Sequence, residues 1–298
     1  MTLKQLEAFY LAATCASFAV AAQRLHLSIS SLSKRIVELE QSLGETLFDR
    51  AGHRAALTPA GVRLLPHAAG MLESAQKLLA SLGKEAGLSG RCRFGVGELT
   101  ALTWLPRLLT QASLAFPQLT LEPYVDIGTV LERGVGDGEL DFAVVAGRSS
   151  RSALASHSIG EARFLWVVAT RLAPPGMGAA ALLATLPLVT LHIGAGTTRI
   201  LDQWLAQQEV AAERRLSCNG WGAVAGMLVD GVGVGFLPEG WARALAQRGQ
   251  LRILDGQAAL APLHYTFQSR RDEPRLLVAK MREIITRVAD FSATSALF

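Results

Sequence analysis

A mixed α/β protein with an all-α N-terminal unit is what the 298-residue sequence predicts, and three observations predict it. Residues 1–58 carry apolar positions at helical spacing, interrupted by turn signals. Residues 59–90 read as one long helix and a hinge. From Arg91 onward short apolar runs alternate with helical patterns, the mark of a sheet covered on both faces. The length exceeds the usual size of one domain. With 50% hydrophobic and 18% charged residues, the chain can bury a core and is not disordered.

Thr2 and Gln5 have capping-box spacing, and Leu3, Leu6, Phe9, Tyr10 and Ala13 then recur at helical intervals, giving a first helix. After Ser17, the positions Phe18, Ala21, Ala22 and Leu25 give a short second helix whose alanines let a neighbouring backbone approach. His26 and Leu27 make the turn. Ser28 caps a third helix running to Leu43, with Gly44 as its stop. At about 100° per residue, Leu32, Ile36, Leu39 and Leu43 form one narrow stripe, and Ser30, Ser33, Lys34, Val37 and Gln41 lie opposite. The stripe is core. The opposite face offers short hydroxyls and one cation, which suits a helix seated against base edges and phosphates. Plain exposure to water would use the same residues.

Thr58 followed by Pro59 is a strong helix start. Val62, Leu65, Ala69, Leu72 and Leu79 follow one apolar seam, while Leu64, Ala68, Met71, Ala75, Leu78 and Leu82 follow a second. Two seams need more than one partner, so this helix either packs on its own unit or also joins a second copy. Pro66 predicts a bend, and Gly83 with Gly87-Leu88-Ser89-Gly90 predicts a stop and a hinge. Further on, strands are expected at Cys92 to Val96, Leu119 to Val125, Leu140 to Val145, Phe164 to Ala169, Leu188 to Leu191, Arg214 to Cys218, Val232 to Leu237 and Leu263 to Gln268. Helices are expected between them, including Trp104 to Phe116, Thr198 to Gln208, Trp221 to Val229 and Pro274 to Ala289.

The net charge of +4 is spread evenly: residues 1–87 hold 9 Lys+Arg against 7 Asp+Glu, and the rest holds 20 against 18. No basic tail advertises nucleic acid, so DNA binding has to rest on where particular charges sit. Cys15, Cys92 and Cys218 are odd in number and far apart, which supports neither a disulfide framework nor a zinc cluster. The longest uncharged run, Leu172 to Thr198, is broken by Pro174, Pro175, Pro187 and several glycines, so no membrane partner is expected. The N-terminus has no apolar signal core, and a cytoplasmic protein is expected.

The order of residues is more specific than any of these patterns. Ser17-Phe18, Ala21-Ala22, Leu25, Ser28, then Ser33-Lys34-Arg35-Ile36 with Leu39-Glu40, then Leu43-Gly44, Leu47-Phe48, Arg50 and Leu57-Thr58-Pro59-Ala60-Gly61 closely resemble the LysR-type transcriptional regulators. The resemblance is dense over the first 65 residues. It implies a winged helix-turn-helix over residues 1–58 whose third helix enters the major groove, presenting Ser28, Ile29, Ser30, Ser31, Ser33, Lys34 and Arg35. The hairpin from Leu47 to Leu57, turning at Ala51-Gly52-His53, would be the wing and bring Arg50, His53 and Arg54 to the DNA backbone. Where the family often has Gln, Ile29 stands here. It can touch a thymine methyl but cannot bond adenine at two points.

Patchier resemblance continues over residues 91–290, in Leu105-Pro106, Phe116-Pro117, Gly138-Glu139-Leu140-Asp141-Phe142-Ala143 and Gly231-Val232-Gly233-Val234-Gly235-Phe236-Leu237-Pro238. It implies a linker and dimerisation helix over 59–90 and an effector-binding domain over 91–298 of the periplasmic-binding-protein type. Subdomain I would comprise 91–160 with 269–298, and subdomain II 161–268, with two crossover strands between them. The implied partners are double-stranded DNA, a small-molecule effector in the cleft, a second copy of the chain in a homodimer or homotetramer, and RNA polymerase. Strand-to-helix junctions nominate the effector contacts: Thr100, Thr129, His192, Gly194, Thr197, Thr198 and Trp221. Hydroxyls and free N–H groups at helix starts suit an organic anion.

Enzymatic motifs are missing. Gly231-x-Gly-x-Gly leads into a strand and lacks dinucleotide spacing; Gly194-Ala-Gly-Thr-Thr lacks the P-loop lysine. No GxSxG or HExxH occurs, so the expectation is a regulator that is not an enzyme and holds neither metal nor cofactor. The competing reading is a solute-binding or enzymatic α/β domain whose helix-turn-helix serves protein contacts only.

Overall fold

The computed structural model describes residues 1–49, 56–81, 88, 90–172, 176–254, 258–273 and 275–295. Local capping signals build the N-terminal head. Thr2 starts α1 (Leu3–Thr14): its hydroxyl accepts the Gln5 N–H, and its own N–H donates to Gln5 Oε1 at 2.9 Å. Ser17 caps α2 (Phe18–Arg24), and Ser28 caps α3 (Ile29–Leu43), which Gly44 closes in the left-handed conformation at φ 68°. Leu32, Ile36 and Leu39 are buried with Leu6, Phe9, Ala21 and Ala22. Leu43, expected on the same stripe, is 38% exposed, because it is the last residue of its helix.

The short strands β1 (Phe48–Asp49) and β2 (Ala56–Leu57) pair antiparallel and lead into α4 (Pro59–Ser81). Thr58 caps that helix through the Gly61 N–H and donates to the Thr46 carbonyl at 2.6 Å. Leu64, Leu65, Ala68, Ala69 and Leu72 pack on the head's own core, so each apolar seam is partly used within the chain. Val62, Met71 and Leu78 remain exposed.

Two five-stranded sheets follow. The first joins β3 (Gly90–Val96), β4 (Leu119–Val125), β5 (Phe142–Ala146), β6 (Leu154–Ala162) and β12 (Leu263–Arg270) in the order β4-β3-β5-β12-β6. The second joins β7 (Phe164–Ala169), β8 (Leu188–Leu191), β9 (Arg215–Cys218), β10 (Val234–Pro238) and β11 (Leu251–Ile253) in the order β11-β7-β10-β8-β9. Each sheet is parallel on one side, β4-β3-β5 in one and β10-β8-β9 in the other, and is continued to its opposite edge by antiparallel strands. Helices α5 (Glu98–Thr103), α6 (Leu105–Ala115), α7 (Gly128–Gly136) and α12 (Leu276–Val288) belong with the first sheet. Helices α8 (Ala179–Leu183), α10 (Trp221–Val229) and α11 (Glu239–Gln247) cover the second; α9 (Gly196–Gln207) follows β8 and also reaches β12.

Some expectations change. Strand β12 covers the expected strand at 263–268, yet it pairs with β5 and β6. The stretch therefore sits in the first sheet, outside the second subdomain to which 161–268 had been assigned. Strands β6 and β11 were not expected; α7 opens at the junction expected at Thr129, and α8 and α11 fall between expected strands without a range of their own. Among the described residues no helix is long and apolar enough to cross a membrane.

Candidate nucleic-acid interface and ligand cleft

Helix α3 buries one side and leaves the other open. Ser30, Ser31 and Lys34 are exposed, Ser33 is half-buried, and Ile29 stands 53% exposed at the first turn. The Ser28 hydroxyl accepts the Ser31 N–H at 3.1 Å and lies 2.8 and 2.9 Å from the hydroxyls of Ser30 and Ser31. The N-terminal turn of α3 is thus a cluster of small hydroxyls. Glu38 is held by Gln5 of α1 at 3.3 Å, off this face. Arg35 is half-buried and lines a cavity of about 410 Å³ between head and first sheet, with Lys4, Glu7 and Arg24, because on the helix it flanks the buried stripe. Arg50, His53 and Arg54, with the turn of the wing, lie outside the described residues.

The head is joined to the first sheet by charges that sequence reading missed. Arg24 of α2 and Arg275, just before α12, both contact Asp141 at the start of β5, the latter at 2.8 Å. The Arg93 N–H donates to Asp141 at 2.8 Å. Arg275 also grips Glu273 through two bonds of 2.6 and 2.7 Å, and Arg270 reaches Glu273 at 3.4 Å and the Thr14 carbonyl at 3.1 Å. Burial by itself would raise the carboxyl pKa of Asp141; Arg275, Arg24 and the Arg93 N–H outweigh it and hold the group below the usual carboxylate range. Glu273 is likewise depressed against its burial, chiefly by Arg275. Backbone completes the joint, as the Ala16 N–H donates to the Asp137 carbonyl at 2.8 Å. The available signal was an acid set inside the apolar run Leu140-Asp141-Phe142-Ala143.

The strand-to-helix junctions of the two sheets meet in part. Gly196, opening α9, lies so close to the first sheet that a side chain there would press on Ala146 and Leu263. Thr100 in α5 and Thr197 in α9 are 0% and 3% exposed, and neither hydroxyl has a hydrogen-bond partner. His192 Nδ1 is buried and unpartnered too. Thr198 donates to the His192 carbonyl at 3.3 Å, shaping the loop in which Gly194 takes φ 99°. Thr129 is exposed near the start of α7, and Trp221 stacks on Phe164 at 5.6 Å as a core ring. Sequence reading missed Glu98. Its carboxylate accepts the N–H groups of Trp221 and Gly222 at 2.6 and 3.3 Å, so one donor set expected to await an anion is already taken. Arg148 and Arg199 are exposed.

Burial pushes the thiols of Cys15 and Cys92 up, away from the reactive thiolate. Among the described residues no cluster of His, Cys, Asp and Glu is arranged to hold a metal ion.

Comparison with known proteins covers nearly the whole chain. The family model described as "LysR substrate binding domain" matches residues 85–290, and that described as "Bacterial regulatory helix-turn-helix protein, lysR family" matches residues 3–62. A probable hydrogen peroxide-inducible genes activator of Mycobacterium xenopi is 34% identical over 176 residues, 59% of this chain and 90% of that one. A probable RuBisCO transcriptional regulator of Thalassiosira pseudonana is 35% identical over 147 residues; the match spans 49% of this chain and 48%, about half, of that one. Among solved structures, ArgP from Mycobacterium tuberculosis has a TM-score of 0.64 at 23% identity, covering 98% of each chain, which is a likeness of fold.

Proposed function

The chain belongs to the LysR family of bacterial transcriptional regulators, and from that premise we propose that α3 enters the major groove of double-stranded DNA while a small organic effector binds between the two sheets. It is a DNA-binding regulator with an effector-binding domain. The observation that carries the groove assignment is the two-sided character of α3: Leu32, Ile36 and Leu39 are buried, while the capped first turn presents small hydroxyls and Lys34 outward. Small side chains let the backbone approach the base edges, and Lys34 adds a phosphate contact.

A second copy of the chain would cover the apolar face that α4 leaves open. Val62, Met71 and Leu78 are 59%, 46% and 61% exposed, and a groove of about 600 Å³ between α1 and α4 is lined by Met1, Leu3, Leu6, Pro66 and Met71. Two heads then read two half-sites, which multiplies modest single contacts into specificity. An effector that prefers one arrangement of the two sheets shifts the population toward it, by no more than its difference in affinity for the two.

The test is a mobility shift on operator fragments recovered by chromatin capture, repeated across salt. Lys34→Ala is expected to weaken binding and to lower the salt slope by about one. Ser33→Glu places a negative charge against phosphates and should abolish binding. Wild-type affinity in Ser33→Glu would remove α3 from the groove, and salt-independent binding would favour a head that serves protein contacts only.

A further inference from the structure

The joint between head and first sheet makes its hydrogen bonds, yet its charge is not balanced. The cavity of about 410 Å³ beside it is lined by six cations, Lys4, Arg24 and Arg35 from the head and Arg91, Arg93 and Arg275 from the effector-binding domain. Against them stand Glu7 and Asp141 on the wall, with Glu122 and Glu273 behind it. These acids are shared: Asp141 answers Arg24 and Arg275, and Glu122 answers Arg91 and Arg93. Glu273 serves Arg270 besides Arg275. Even with every one of the four acids ionised, the wall keeps at least two cations in excess.

That excess falls on Lys4 and Arg35. Among the described residues their side chains make no ion pair or hydrogen bond. Both still act on a common point, because desolvation raises the Glu7 carboxyl while Arg275, Arg35 and Lys4 each pull it down. Charges from α1, α3 and the stretch before α12 therefore converge on one part of the wall. Like charges held together beside a low-dielectric surface repel one another and draw in a counter-anion. The cavity admits water, and its volume lies within the range of small-molecule sites, roughly 300–1,000 Å³. Leu11, Leu25 and Leu277 give it an apolar side as well.

We infer that this cavity is a second small-molecule site, apart from the cleft between the two sheets, and that it takes a small organic dianion. Two negative charges match the two cations in excess, and the leucines receive the carbon body. Arginine forks and a lysine suit a phosphate ester and a pair of carboxylates alike, since both present planar or clustered oxygens to N–H donors. An occupant touches head and first sheet together, so it favours the arrangement in which they are joined.

The test uses the full-length protein and two arms of probes, the phosphate esters glycerol 3-phosphate and glucose 6-phosphate, and the dicarboxylates succinate and glutarate. Butyrate and glycolate serve as monoanion controls, all at constant ionic strength. Melting temperature and calorimetric titration report binding. At least one dianion should stabilise the wild type and bind about tenfold or more tightly than either monoanion, and the arm that responds tells phosphate from carboxylate. Lys4→Glu on the head side and Arg91→Glu on the sheet side should each weaken it about tenfold or more. Lys280→Glu, on α12 and outside the cavity, makes the same change of charge and should leave the affinity as it is. Circular dichroism checks folding, and Lys4→Gln, which only removes the charge, should show a smaller loss in the same direction. Silence from both arms overturns the inference. So does unchanged affinity in Lys4→Glu and Arg91→Glu, which puts the ligand elsewhere, or an equal loss in Lys280→Glu, which makes the effect one of bulk charge. Weaker operator binding in Lys4→Glu with both arms silent gives these cations to DNA phosphates and overturns it too.

Discussion

The molecule has two internal seams, and they are built on opposite rules. Where the head meets the first sheet, buried charges answer one another: Asp141 with Arg24 and Arg275, Glu273 with Arg275 and Arg270, leaving Arg270 Nε as the atom without a hydrogen bond. Where the two sheets meet, one carboxylate accepts neutral N–H groups, and on the helices α5 and α9 the hydroxyls of Thr100 and Thr197 are buried without a hydrogen-bond partner. A saturated seam resists opening, since each charge released must be rehydrated or left alone. An unsaturated one has free energy to gain from a guest. The comparison teaches that the first seam is held by charge answering charge, whereas the second rests on a carboxylate bonded to the start of a helix.

The largest break should come from Asp141→Ala, which leaves Arg24 and Arg275 buried without their shared acid and should cost about 3–5 kcal/mol in chemical denaturation. A cost below about 1 kcal/mol would mean the joint is open in solution. Acid should do part of the same work. The pKa values of Asp141 and Glu273 are depressed in the folded chain, so their contribution is complete above the ordinary carboxylate value and fades as pH falls through their lowered ones. Limited proteolysis between the head and the effector-binding domain, the sensor, should therefore accelerate in acid in the wild type, with much less change in Asp141→Asn. At the other seam the numbers shrink. Glu98→Ala removes an acceptor from the start of α10 and should cost about 1 kcal/mol, the scale of a lost helix cap. Thr100→Val, measured without ligand, should lie within about 1 kcal/mol of zero and on the stabilising side, because the hydroxyl it removes is unpartnered. A larger loss there would show that the hydroxyl is already satisfied, and would erase the contrast between the seams.

What the sequence could reveal divides along the same line. The head was legible because its instructions are local: Thr2, Ser17 and Ser28 each cap the helix that follows, and the α3 stripe is read within fifteen residues. The seams were not, because their partners stand far apart along the chain. Arg24 and Asp141 are separated by 117 positions, and Glu98 and Trp221 by 123. No periodicity links such pairs. Strand β6 was missed for a related reason: Leu154-Ala-Ser-His-Ser-Ile-Gly-Glu-Ala is an edge strand with polar positions, defined by its pairing with β12 more than its own pattern. The angle of Arg35 on the helix, beside the core stripe, was likewise open to reading from the sequence, whereas the cavity it lines was not.

The fit around Gly138 bears on modularity. This residue adopts φ +73°, its carbonyl takes an N–H from Arg24 at 2.7 Å, and a side chain in its place would meet both Cys15 and Arg270. Head and sensor are thus cut to each other like a key and its ward. A chimaera that grafts a foreign head onto this sensor would inherit the fit only if the donor supplied a cation where Arg24 stands and a slim residue where Cys15 stands. Recombination among relatives would be constrained at that point, and exchange of heads would have to carry the corresponding sensor residues along.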